Sequence, residues 1–116
     1  MESILISIKK LLGPDTEYTH FDTDIIIHIN SALMSVNQLG IGPEEGFSIT
    51  GVNETWDQLL QGNKKVDAVK TYIYLKVRLV FDPPVNAFVV DAIERQILEL
   101  EWRLNEQREG GIPIGG

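Results

Sequence analysis

The stretch VKTYIYLKVRLVFDPP, residues 69–84, limits the possible folds more than any other part of the chain. Val66, Val69, Ile73, Val77 and Val80 recur at helical spacing, and Ala68, Tyr72, Leu75 and Leu79 form a second stripe beside them. Tyr74 and Phe81 lie away from both stripes. A helix that is apolar on most sides must be buried on most sides. The pattern therefore predicts a helix over residues 64–81 that is either the centre of its domain or partly covered by another subunit. Asp82-Pro83-Pro84 ends it, because a residue before proline is pushed out of helical space and a second proline repeats the restriction.

Four further helices are expected around this one. Residues 3–12 put Ile4, Leu5, Ile8, Leu11 and Leu12 on one face, and Gly13-Pro14 stops the run. A second helix starts at Asp22 or Thr23, either of which can cap it, and ends at Gly40. Its core stripe is Ile25, Ile29, Ala32, Val36 and Leu39, widened by Ile26 and Leu33, while Ile27 and Met34 fall on another side, seven apart. Residues 40–53 are irregular, although FSIT suits a short extended piece. Asn53 or Thr55 can cap a brief helix through Trp56, Leu59 and Leu60. The last helix covers about residues 86–108, with Val90, Ile93, Ile97, Leu100 and Leu104 spaced 3, 4, 3, 4 as in a packed helix pair. At ~1.5 Å per residue it is more than 30 Å long, so its C-terminal end is expected to project. The fold class that follows is all-α: a small bundle of four to five helices with a long C-terminal helix and a flexible tail. Residues 1–109 form one helical domain and 110–116 the tail.

Composition excludes several kinds of chemistry. The 116 residues include no cysteine, so disulfides and thiolate metal sites are ruled out. The N-terminal lysines follow the apolar stretch instead of preceding it, which argues against a signal peptide. No apolar run approaches the roughly 18 residues that span a bilayer. The net charge of −7 lies wholly in residues 1–58, where nine acids face Lys9 and Lys10. Residues 59–116 hold eight acids and eight bases. Binding to a phosphate backbone rests on Lys and Arg, and this chain has no basic patch, so no affinity for nucleic acid or for an anionic membrane is expected.

Candidate chemical sites are few. Asp24 and His28, one helical turn apart, could share a divalent metal, but no second His or Glu stands at ligand spacing. Glu44 and Glu45 in GPEEG read as a solvated turn, not as an acid–base pair. His20 is a loop residue. Tyr72, Tyr74 and Lys76 look like a base-stacking patch only until the surrounding aliphatics mark them as core. Trp102 lies off the seam of the last helix and either packs on an earlier helix or sits in an interface, where Trp is enriched. The final GGIPIGG places Ile112, Pro113 and Ile114 between glycines; it is either an ordinary flexible end or an anchor that orders on a partner.

VKTYIYLKVRLVFDPP followed by AIERQILELEWRLNEQRE resembles the head–tail connector, or adaptor, proteins of long-tailed bacteriophages and prophages. The resemblance continues upstream through YTHFDTDIIIHINSALMSVNQLGIGP and FSITG and covers about residues 2–108. It implies a structural subunit that assembles, usually as a dodecamer, into a ring below the portal protein in the neck of the virion. Such a ring extends the channel through which DNA leaves without being specifically bound, and it meets the next connector or tail-completion protein. It implies no enzyme activity, cofactor or membrane, and assembly in the host cytoplasm. On that reading Ile27, Met34, Tyr74 and Phe81 are candidates for the contact between subunits, and Trp102, Ile112, Pro113 and Ile114 for contact with a partner. The competing reading is a monomeric or dimeric helical protein-binding module in the cytoplasm, with the same fold and no ring.

Overall fold

A computed structural model describes residues 2–13, 15–62 and 66–108. The elements are α1 (Ile4–Leu12), α2 (Asp22–Gln38), α3 (Trp56–Leu60), α4 (Val66–Phe81) and α5 (Ala87–Arg108), and among the described residues there is no strand, only one isolated bridge between Ser3 and Thr55. The chain is all-α, as its periodicities require.

α4 is the central helix. It packs against α1, α2 and α5, whereas α2 and α5 hardly touch each other. Val69, Tyr72, Ile73, Leu75 and Val77 are buried, and each such side chain contributes about 1.5–3 kcal/mol through removal from water. Val80 shares the face of Val69 and Ile73 yet is 62% exposed, so that side of the last turn of α4 is left uncovered.

α2 runs antiparallel to α4. The Lys76 ammonium donates to Ser35 Oγ at 3.2 Å, while the Phe81 ring lies 5.7 Å from that of Phe21 and 6.4 Å from His28. α5 is also antiparallel to α4: residues 82–86 turn the chain back, and the Tyr72 hydroxyl donates to Glu101 Oε2 at 2.7 Å. α2 and α5 therefore flank α4 and run in the same direction. The α5 seam is the expected one, with Ile93, Ile97 and Leu104 buried and Val90 and Leu100 half-buried. The burial of Leu104 corrects the expectation of a projecting end, at least through that residue: the seam repeats every three to four residues and keeps α5 on the domain.

The start of α2 departs from its expected capping. Its N-cap is Phe21, with no side-chain cap. Asp22 instead lies 2.7 Å from the Lys9 ammonium, which also donates to the carbonyls of Thr16 and Tyr18 at 2.9 Å. A long-range ion pair has taken the carboxylate that local spacing assigns to the cap. α1 follows its sequence closely: Ser3 caps it, and Gly13 closes it at φ 103°, a left-handed conformation that glycine adopts without strain.

Residues 40–62 are latched to the helices. Thr55 and Gln58 form a reciprocal capping box on α3. The Trp56 indole donates to Ser7 Oγ at 2.9 Å, and the Ile4 amide donates to the Glu54 carbonyl at 3.0 Å. FSIT forms no strand. Asn30 serves Ile49 as a strand neighbour would: its Nδ2 donates to the Ile49 carbonyl at 3.0 Å, and its Oδ1 accepts from the Ile49 amide at 2.7 Å.

Candidate functional site

The features that call for a functional explanation are the apolar side chains that the fold leaves uncovered. The core stripe of α2 is Ile25, Ile29, Ala32 and Val36, all buried. On the opposite side of the same helix, Ile27 is 56% and Met34 67% exposed, with Asp24, Ser31 and Gln38 exposed between and beside them. A helix that needed only one partner face would carry polar residues at 27 and 34.

α5 repeats the arrangement. Away from its buried seam, Phe88 is 84%, Leu98 63% and Trp102 65% exposed, and Asp91 and Arg95 stand exposed between them. Trp102 therefore does not pack on an earlier helix. Phe88 and Leu98 are missing from the residues singled out in the sequence. Their signal is a second heptad spacing on the same helix, with 88, 95 and 102 on one row and 91 and 98 on the next. It is masked there by the stronger seam at 90, 93, 97, 100 and 104. Val80 and the fully exposed Val85 extend the apolar surface around the turn between α4 and α5.

Tyr74 and Phe81 are less available than Ile27 and Met34. Both are half-buried and pack against the core. The Tyr74 hydroxyl accepts from Arg78 Nη1 at 3.2 Å, and Phe81 closes one end of an apolar groove of about 200 Å³ with Leu12, Tyr18, Phe21 and Ile25. Tyr18, His20 and Phe21 form a ring cluster at the mouth of this groove, with centroids 4.8–6.0 Å apart. Ile112, Pro113 and Ile114 lie outside the described residues.

Charge at these faces is sparse. α2 contains no Lys or Arg, and its outer face carries Asp24 alone as a carboxylate. On α5 the Glu99–Arg103 pair at 2.7 Å is exposed on both sides and adds little. The shifted titrations lie elsewhere and are structural. Burial, together with the bond to Glu101, pushes the Tyr72 hydroxyl well above the ordinary phenol range. The Lys70 ammonium, 2.9 Å away, holds the Glu2 carboxyl below the usual carboxylate range. Asp24 is exposed, and His28 rests against Phe81. Glu44 and Glu45 are exposed in their turn. Among the described residues no three His, Cys, Asp or Glu side chains converge as a metal site would require. No helix among them is long and apolar enough to cross a membrane.

The arrangement is thus one of uncovered apolar faces on α2 and α5. No curated protein and no solved structure matches the chain. A family model described as phage connector protein matches residues 4–111, nearly the whole domain with α1 through α5, and the chain belongs to that family.

Proposed function

We propose that this chain is a structural subunit of the phage neck, joining head to tail as a ring beneath the portal. The ring extends the DNA channel and offers its far side to the next connector or tail-completion protein. The observation that carries this reading is the pair of uncovered apolar faces on α2 and α5 of a chain whose family is the phage connectors. Two different faces on one molecule favour head-to-tail contacts, which close into a ring when the rotation allows. The role is mechanical. DNA passes through without specific binding, and the acidic first half, where it faces the channel, repels the passing phosphates and keeps them sliding. The isoleucines of GGIPIGG are an anchor that orders on the portal or on a neighbouring subunit.

The test is cryo-electron microscopy of particles arrested after DNA filling, before tails join, with and without this protein. Ring density added below the portal is the expected result. No added density, together with binding to a soluble partner, would replace the connector with the cytoplasmic binding module. Acids of residues 1–58 mapping to the outer rim would remove the channel role assigned to them.

A further inference from the structure

The uncovered faces match each other. The α2 row is Asp24, Ile27, Ser31, Met34 and Gln38, and the α5 row is Phe88, Asp91, Arg95, Leu98 and Trp102. Each row carries the alternating three- and four-residue spacing of a helix-pairing seam, on the side of its helix away from the core. Within one molecule α2 and α5 run in the same direction on different faces of α4. Rotation about an axis along these helices preserves that direction, so α2 of one copy can meet α5 of the next only as a parallel pair.

Aligning the two rows in parallel with the acid of one beside the base of the other fixes a register. Asp24 then faces Arg95, Ile27 faces Leu98, and the small Ser31 faces the large Trp102. Charge, apolarity and size are complementary at three successive levels of one alignment, and at the fourth Met34 comes beside the aliphatic stem of Asn105. We infer that the ring contact is this parallel seam, α2 of one copy against α5 of the next, with Asp24 paired to Arg95 and Trp102 seated over Ser31. The inference rests on the ring reading and adds to it the surface, the direction and the register.

The chain has no cysteine, so introduced thiols are the only ones it can contribute to a cross-link between its copies. Particles are assembled with the full-length Ser31→Cys/Trp102→Cys chain, treated with a short bifunctional thiol reagent and run on a denaturing gel. The expected result is a ladder of multimers for the double variant and none for either single variant, since each contact uses one residue from each row. A ring visible below the portal with the double variant still monomeric on the gel would overturn the seam and leave the connector reading standing. Particles of the unmodified chain without any ring would overturn both. If the thiol pair keeps the chain out of particles, the charge exchange decides. Asp24→Arg and Arg95→Asp each reduce incorporation at least several-fold, and together they restore it. Failure of the combined variant to recover incorporation would overturn the register.

Discussion

Lys9 shows how far a single side chain can organise this domain. Its ammonium is 99% shielded from solvent and holds Asp22 together with the carbonyls of Thr16 and Tyr18, so α1, the following connection and the start of α2 are fixed by one residue. Breaking a buried ion pair from one side leaves the partner charge uncompensated. Lys9→Met is expected to cost about 3 kcal/mol, somewhat moderated because Asp22 keeps some solvent contact, and a fall in the urea midpoint at unchanged slope would measure it. Local spacing makes Asp22 look like a helix cap, and only the folded chain brings Lys9 to it, so this role was not legible in the sequence. Glu54 is a second residue-scale feature. Burial pushes its carboxyl up, but donation from the Thr50 hydroxyl and the backbone amides of Thr50 and Gly51 outweighs this and leaves it below the usual range. A depressed folded-state value means that the stabilisation is complete above pH ~4.5 and is lost as pH falls through the lower folded value. Glu54→Ala should therefore lower stability by about 1 kcal/mol at pH 7, and the difference from the parent chain should vanish in urea titrations at strongly acid pH.

Among the elements, α4 was the most legible because its burial is nearly circumferential: two adjoining apolar stripes leave only a narrow polar strip through Asp67, Thr71 and Arg78. α1 and the inner seam of α5 were legible from a single apolar stripe each. The irregular residues 40–55 were not, because their backbone is satisfied by a side chain, Asn30, nineteen positions away from Ile49, and periodicity holds no record of such a partner. The outer row of α5 was present in the sequence but overshadowed by the inner one, and Phe88 and Leu98 were missed on that account. Val77 tests the centrality of α4. It is fully buried where α4 meets its neighbours, and Val77→Asp places an unpaired charge there. The expected outcome is loss of the folded domain, seen as loss of cooperative thermal unfolding by circular dichroism. A cooperative transition close to that of the parent would show that α4 is not the central element.

At the scale of the whole molecule, stability and assembly reside in different residues. The inner faces hold the domain together, and on the proposed reading the outer faces and GGIPIGG serve partners. Ile112→Asp combined with Ile114→Asp is accordingly expected to leave the melting temperature of the isolated protein unchanged within about 2 °C, as for substitutions away from packed features, while blocking incorporation into particles. Particle assembly at parental levels would sink the anchor role. The helix directions have an electrical consequence. Each helix carries roughly half a positive charge at its N-terminal end and half a negative charge at its C-terminal end. In each copy α2 and α5 point one way and α4 points back together with α1, which starts beside Lys70 and ends beside Phe81, so the helix macrodipoles pair off and largely cancel. A ring whose axis follows these helices therefore gains little backbone dipole along that axis. Each rim presents helix amides and helix carbonyls together, so the potential that a threading polyanion meets is set by side chains and not by the backbone ends.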